Sequence, residues 1–231
     1  MSFFFIKICL YHLFCVSLYK IKIMKYEEIP IIDITTVSKE EIKMEPYIET
    51  YTGLRVFFGD IKKEIISIHD IAHSLSQICR FTGHTKEFYS VAQHSVLVAD
   101  AQTTLPEKRA GLLHDASEAY VNDLPSPLKA CVDLGDYKNL ENRFHAVINK
   151  KYRINDGMTP NIKKADLEAL FTEKRDVLNK SSDWGWGEDI EPFKDKIIPL
   201  PPKEAKALFI KRFIELFPIE AKKENLILVK I

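Results

Sequence analysis

The stretch GLLHDASEAYVNDLPSPLK, residues 111–129, decides how this chain is interpreted. An apolar run, GLL, leads directly into His114 and Asp115, and the carboxylates of Glu118 and Asp123 follow within the same stretch. A polar group that is buried without a partner costs about 1–3 kcal/mol, so the nitrogen and oxygen atoms of these side chains need a binding partner. This set of residues suggests that the partner is a divalent metal ion.

The composition indicates one domain of ordinary size with no broad charged face. The chain has 231 residues, and 46% of them are hydrophobic, enough for a substantial core. Its 33 basic and 33 acidic residues give no formal net charge, which argues against a nucleic-acid partner. A small anionic substrate needs only two or three local cations. Four cysteines without a C-x-x-C pair exclude a zinc knuckle and a disulfide framework, and they favour a cytoplasmic location.

The first 23 residues differ in character from the rest of the chain. Their longest uncharged run, residues 8–19, is shorter than the roughly 20 residues that span a bilayer. Phe, Ile, Leu, Lys and Tyr dominate, as in translated AT-rich DNA, which favours a mis-assigned start with Met24 as the true initiator. A weakly membrane-associating helix and a signal peptide are the alternatives. We therefore expect residues 24–231 to form a single domain without stable membrane association.

Hydrophobic periodicity predicts an all-α helical bundle with a small β-hairpin near its N-terminus. The hairpin is expected within residues 50–68, where the sequence alternates loosely and contains two glycines. The segment NDLPSPLK is expected to be irregular because of its two prolines. Spacing, capping residues and prolines at first turns predict the helices. They cover residues 69–80, 91–102, 106–121, 133–152, 160–179 and 203–217.

The candidate metal ligands come from three predicted helices. His94 lies one turn into the second helix, His114 and Asp115 lie in the third, and Asp166 lies in the first turns of the fifth. Two histidines and two aspartates suit Co, Mn, Zn, Ni or Fe better than Ca or Mg. Helix neighbours diverge by about 100°, so His114 and Asp115 reach one ion only if it lies over the helix edge. One ion between several helices would leave positions open for water and substrate.

Other charged residues near these ligands are candidates for catalysis and substrate binding. Glu118, four residues after His114 and three after Asp115, is expected on the same helix face one turn further on, where it can act as general base or general acid. Asp123, at the helix exit, can orient water or a substrate hydroxyl. Arg80 and Lys129 offer positive charge for a phosphate group.

The order of the candidate ligands along the chain is His94, then His114 and Asp115, then Asp166. This H…HD…D order resembles that of the HD-domain metal-dependent phosphohydrolases. HDASEAYVNDLPSPLK is similar to the H-D-A-S-E…D-L-P-[ST]-P-[LV]-K run of their 5′-deoxynucleotidase branch. ICRFTGHTKEFYSVAQHSVLVAD, residues 78–100, resembles the R-F-x-G-H-[TC]…Y-S-V-A-[EQ]-H-S-V run of phage and bacterial members. The resemblance extends over roughly residues 50–217.

The resemblance implies a helical fold, a metal site and a nucleotide substrate. The metal would be held by His94, His114, Asp115 and Asp166. Glu118 would act on the attacking water, Arg80 and Lys129 on phosphate, and Asp123 near the sugar or the water. The substrate would be a deoxynucleoside monophosphate, cleaved to deoxynucleoside and phosphate. A second set of phage relatives releases triphosphate from deoxynucleoside triphosphates, notably dATP. Relatives of this type commonly form homo-oligomers.

Several features leave alternatives open. The TGHT insert and the extended C-terminus depart from the shorter bacterial nucleotidases, so His84 is a further candidate for substrate binding. A non-enzymatic nucleotide-sensing module and a protein anchored by residues 3–23 are competing hypotheses. His69, His73 and His145 are interpreted as structural. Trp184 and Trp186 either stack on a base or cover a core edge, and the second interpretation is favoured.

Overall fold

A small antiparallel hairpin precedes the helices. The computed structural model describes residues 45–155, 157–179 and 184–226. Strand β1 (Tyr47–Glu49) pairs with β2 (Arg55–Phe57), and the turn between them contains Gly53 at a φ of 81°. A positive φ is readily adopted only by glycine, which places the turn here. A hairpin is present as predicted, but its first strand lies wholly before residue 50, and only the turn and β2 fall within the predicted range.

After the hairpin, all named elements of the described residues are helical, which confirms the predicted all-α class. The short 3₁₀ turns Lys63–Ile65 and Arg80–Gly83 flank α1. The α-helices of the described residues are α1 (Ile68–Gln77), α2 (Val91–Asp100), α3 (Leu105–Leu113), α4 (Glu118–Val121), α5 (Ser126–Cys131), α6 (Gly135–Tyr152), α7 (Pro160–Asp176), α8 (Pro202–Leu216) and α9 (Pro218–Lys223).

Side-chain caps fix where the helices of the site begin. The Ser90 hydroxyl accepts a hydrogen bond from the Gln93 backbone N–H at the start of α2. The Thr159 hydroxyl accepts one from the Ile162 backbone N–H at the start of α7, with Pro160 in the first turn. These bonds satisfy backbone donors that have no partner inside the helix. Both helices therefore start at the predicted residue.

Helix α2 is the centre of the packing. It contacts α1, α3, α7 and α8, and most of its residues are buried. Burial of a large apolar side chain contributes about 1.5–3 kcal/mol, so this core fixes α2 firmly. Apolar side chains from the surrounding helices complete the same cluster: Ile71, Leu75, Leu112, Phe144, Phe209 and Phe213. His94 is carried into the middle of the molecule by this helix and is fully buried.

A glycine allows α3 to approach α2 closely. A Cβ added at Gly111 would lie 3.2 Å from the Cα of Ala99, closer than ordinary van der Waals contact. Glycine inside a helix costs about 1 kcal/mol relative to alanine, so the close packing explains its presence. The end of α3, which leads into His114, is therefore held against the helix that carries His94.

The prediction of one helix over residues 106–121 is wrong. Helix α3 ends at Leu113 and α4 starts at Glu118. In between, the Ala116 N–H donates to the Leu113 carbonyl and the Glu118 N–H to the Asp115 carbonyl, at 3.1 and 3.0 Å. These bonds span three residues instead of four, so the chain tightens here. The apolar pattern continues across the break, which is why periodicity indicated a single helix.

Smaller differences concern helix ends and one proline segment. The other predicted helices are confirmed, with ends shifted by up to three residues. For example, α1 stops at Gln77 because Ile78 takes an extended conformation and leads into the bridge between Cys79 and Ser90. NDLPSPLK is not irregular throughout, because its second proline lies in the first turn of α5.

Residues 1–23 lie outside the described residues, and so does the predicted boundary at residue 24. The chain from Glu45 onward forms one compact unit. Within the described part of the chain, no helix combines the length and the apolar character needed to span a bilayer.

Candidate metal centre

Four ligand atoms from three segments of the fold converge in one place. His94 comes from α2, Asp166 from α7, and His114 and Asp115 from the break after α3. One ligand atom each of His94, His114 and Asp115 lies within 4.8 Å of the other two. The Asp166 Oδ1 lies 3.1 Å from the Nε2 of His94 and 3.9 Å from the Nε2 of His114. The predicted ligand set is thus assembled in space.

The hydrogen bonds of the two imidazoles leave their inward nitrogens available. The His94 Nδ1 lies 2.7 Å from the Glu173 Oε1, and the His114 Nδ1 lies 2.7 Å from the Gly111 carbonyl oxygen. Carbonyl and carboxylate oxygens accept, so Nδ1 donates in both rings. Both Nε2 atoms are buried, and neither has a hydrogen-bond partner among the described residues. In a metal-binding histidine, one ring nitrogen usually donates a hydrogen bond to an oxygen and the other binds the ion. Both imidazoles have this arrangement, so the donor set fits a transition metal.

The carboxylates of this cluster favour positive charge on its histidines. Burial and the Arg80 charge oppose protonation of His94, but the Glu173 and Asp166 carboxylates prevail and raise its pKa to about 9. Burial likewise opposes protonation of His114, and Asp115 raises its pKa. Burial raises the pKa of Asp115, but His114 outweighs it and holds that pKa below its usual range. A surplus of negative charge around two imidazoles is an environment that a divalent cation satisfies.

Two further carboxyl groups lie beside the ligand cluster. Glu118 is 6% exposed, and its Oε2 has no hydrogen-bond partner among the described residues. Burial, followed by the charges of Asp115 and Asp123, raises its pKa to about 10. Burial also raises the pKa of the half-buried Asp123. The environment of Glu118 therefore favours its protonated form beside the ligands.

Arg80 is held at the edge of the site by a carboxylate. Its Nε and Nη2 lie 3.1 and 2.9 Å from the Glu173 Oε2, while its Nη1 lies 4.0 Å from the Asp115 Oδ2. Burial lowers the pKa of the Arg80 guanidinium, but the negative charge of Glu173 outweighs this effect. The pKa is raised overall, and the guanidinium stays charged. One edge of Arg80 is thus bound internally, and Nη1 faces the ligands.

Sequence reasoning missed Glu173. This residue is completely buried and joins His94 to Arg80. It lies seven residues after Asp166 on α7, which is two helical turns and the same face. The seven-residue spacing from Asp166 could therefore have indicated that Glu173 lies at the site, but only once Asp166 is taken as a ligand.

Lys129 and His84 have different relations to the site. The Lys129 Nζ lies 3.4 Å from the Glu141 Oε1, and its charge lowers the pKa of Glu118 and Asp123 against the effects that raise them. His84 is exposed in the loop after Arg80. Among the described residues, no hydrogen bond or ion pair joins its side chain to the ligands. The structure therefore brings Lys129, but not His84, into electrostatic contact with the cluster.

Comparison with known proteins places the chain in a family. No protein-family model matches it. It is 44% identical over 176 residues to the uncharacterized protein YfdR of Escherichia coli (strain K12), a match that covers 74% of the chain and 95% of YfdR. The chain belongs to the YfdR family. It is also 37% identical over 122 residues to the uncharacterized protein RCAP_rcc00048 of Rhodobacter capsulatus, which covers 49% of the chain and 62% of that protein.

The names of these relatives specify no substrate and no reaction. The side chains assigned structural roles in the sequence have structural contacts: the His69 Nε2 lies 3.0 Å from the Glu224 carbonyl oxygen, and His73 stacks on Tyr51. Trp184 and Trp186 stack on each other and pack edge-on against Phe171. These contacts agree with the interpretation that the two tryptophans cover an edge of the core.

Proposed function

We propose that this YfdR-family chain is an HD-domain metal-dependent phosphohydrolase that acts on nucleotides, with a deoxynucleoside monophosphate as the first candidate substrate. One observation carries the proposal. Two buried imidazoles, each anchored through Nδ1, direct free Nε2 atoms at a point that two aspartates also approach. The order of these ligands in the sequence supports the HD-domain assignment, and the metal would be Co, Mn, Zn, Ni or Fe.

The chain supplies distinct groups for hydrolysis at phosphorus. When bound, a divalent metal would supply Lewis acidity at this point. Glu118 holds a proton in a buried position and can exchange it with water or with the leaving oxygen. Arg80 presents Nη1 to the same space and can neutralise charge on phosphoryl oxygens. Asp123 can accept a hydrogen bond from the sugar or the water.

The test is a substrate screen on metal-stripped protein reloaded with one metal at a time. With dAMP, we expect deoxyadenosine and free phosphate, resolved by chromatography. Release of tripolyphosphate from dATP instead would identify the triphosphohydrolase alternative. Nucleotide binding without turnover would support the sensing module. Turnover that survives stringent chelation, or no turnover of any nucleotide with any of the five metals, would contradict the proposal.

Three variants separate the roles of the carboxylates. Asp115→Asn should abolish metal binding and turnover together. Glu118→Gln should keep the metal and lower kcat by about 10²–10⁴-fold, the usual contribution of a general acid or base. Glu168→Gln is the matched control, because Glu168 lies on α7 but pairs with Lys164 at 3.4 Å. It should retain full activity.

A further inference from the structure

We propose that His145 is a positioning residue that sets the mutual orientation of the adjacent ligands His114 and Asp115. The inference rests on the metal site of the function proposed above. The His145 side chain contacts the backbone of the site, and its Nε2 lies 2.8 Å from the His114 carbonyl oxygen. The sequence alone suggests only a structural role for this residue.

The adjacent positions of the two ligands in the chain create the need for such a residue. Consecutive side chains on a regular helix diverge by about 100°, which would separate His114 from Asp115. Here the two side chains nevertheless meet, with their Nε2 and Oδ2 atoms 3.1 Å apart. The backbone bonds of the break use the carbonyls of Leu113 and Asp115. The carbonyl of His114, which lies between them, accepts from the His145 side chain instead.

The hydrogen bonds of His145 define its donor and acceptor nitrogens. A carbonyl oxygen only accepts, so Nε2 carries the proton and Nδ1 is an acceptor. The Asn149 Nδ2 lies 3.0 Å from this Nδ1 and donates to it, one turn along α6. Asn149 therefore orients the ring, and the ring in turn fixes the carbonyl of His114.

That carbonyl belongs to the peptide unit that joins the two ligands. The peptide bond is planar, so fixing the His114 carbonyl also fixes the N–H and the Cα of Asp115. The ring of His114 is held separately by its bond to the Gly111 carbonyl oxygen. His145 thus controls the plane from which Asp115 extends, without touching any ligand atom.

Helix α6 does not depend on His145 for its place. Phe144, the preceding residue, is fully buried and stacks on Tyr120 of α4 at 4.9 Å, and Ile148 is buried one turn on. Substitution of His145 is therefore expected to leave α6 packed against α4, so its effect on the metal can be measured in folded protein.

The experiment measures Co²⁺ binding to metal-stripped full-length protein through the visible d–d spectrum. His145→Phe keeps the ring volume and removes the donor. It should weaken Co²⁺ binding by about 10–100-fold, as loss of an outer-sphere partner does, and should shift the bands. His145→Gln restores a donor near the position of Nε2 and should bind within about threefold of wild type. His69→Phe is the matched control, since it removes a histidine bound to a carbonyl away from the site, and should leave the Kd unchanged.

A wild-type Kd and spectrum in His145→Phe would overturn the inference, because a purely structural residue alters only thermal unfolding. If His145→Phe does not fold, Asn149→Ala decides: it keeps the ring, and an unchanged Kd would equally overturn the inference. Wild-type protein that binds Co²⁺ without hydrolysing nucleotides would refute the proposed function alone. Wild-type protein that does not bind Co²⁺ would refute both.

Discussion

At the scale of single residues, Glu173 satisfies two donors with one carboxylate. Its Oε1 accepts from His94, and its Oε2 accepts from Arg80 twice. An amide at this position has one acceptor oxygen, so either His94 or Arg80 would face an N–H group. The two donors therefore depend on a carboxylate, and a glutamine cannot replace it.

We expect Glu173→Gln to weaken Co²⁺ binding by about 10-fold or more, because His94 loses its anchor. The free energy of unfolding should fall by about 3 kcal/mol, since a buried charge loses its partner. Co²⁺ titration and urea unfolding measure the two effects. Glu168→Gln, on the same helix, should show neither, and equal Kd values for both variants would contradict the role of Glu173.

Asn122 stores backbone strain between two acidic residues of the site. Its φ and ψ are 73° and 160°, a region that is open almost only to glycine. Its carbonyl accepts a hydrogen bond from the Tyr137 hydroxyl at 2.9 Å, which helps to hold this conformation. The strained residue directly precedes Asp123 and therefore sets the direction from which that carboxylate enters the site.

Asn122→Gly should raise the free energy of unfolding by about 1 kcal/mol. Relief of the backbone strain stabilises the folded state by about 1–3 kcal/mol. Glycine also increases the conformational entropy of the unfolded chain, which offsets part of this stabilisation. The urea midpoint should rise at an unchanged slope. A lower midpoint would show that the asparagine side chain contributes more than its backbone costs.

At the scale of elements, the contact between α2 and α3 depends on Gly111. Gly111→Ala gains about 1 kcal/mol of helix propensity but forces a methyl group against the Ala99 backbone. Overpacking of this type costs about 1–3 kcal/mol, so we expect a net loss of about 1 kcal/mol. Urea unfolding measures it. A stabilised variant would contradict the close packing of the two helices at Gly111.

The sequence predicted most elements correctly because their signals are local. Ser90 and Thr159 cap α2 and α7 where expected, and the four side chains predicted by type and order to bind a metal lie close together. The break after Leu113 was missed because Leu112, Leu113 and Ala116 continue an apolar pattern across it. The bond from His145 spans 31 residues, and a contact of this range leaves no periodic signal in the sequence.

The same limit applies to the partners of the ligands. Glu173 and His145 act through hydrogen bonds to His94 and to the His114 carbonyl, and neither bond follows from local spacing. In contrast, the candidate ligands were predicted from their residue types and their order along the chain, both of which the sequence displays directly.

At the scale of the whole molecule, a metal would join helices that are distant in the chain. A ligand that binds only the folded state stabilises it by about 2.7 kcal/mol at a concentration of 100 times Kd. For a unit of this size, we expect Co²⁺ or Zn²⁺ to raise Tm by roughly 5–10 °C, and a chelator to reverse the rise. Differential scanning calorimetry provides the measurement. Asp115→Asn should show no rise, and an equal rise in that variant would place the bound ion elsewhere.

The separation of His94 from Glu173 by 79 residues has a consequence for how the molecule matures. Neither the Nδ1 anchor of His94 nor the approach of Asp166 exists until α2 and α7 have met, so a refolding chain closes a long loop before the pocket is complete. Cobalt colour in a stopped-flow refolding experiment would therefore develop late, and its rate would time the final docking of α7.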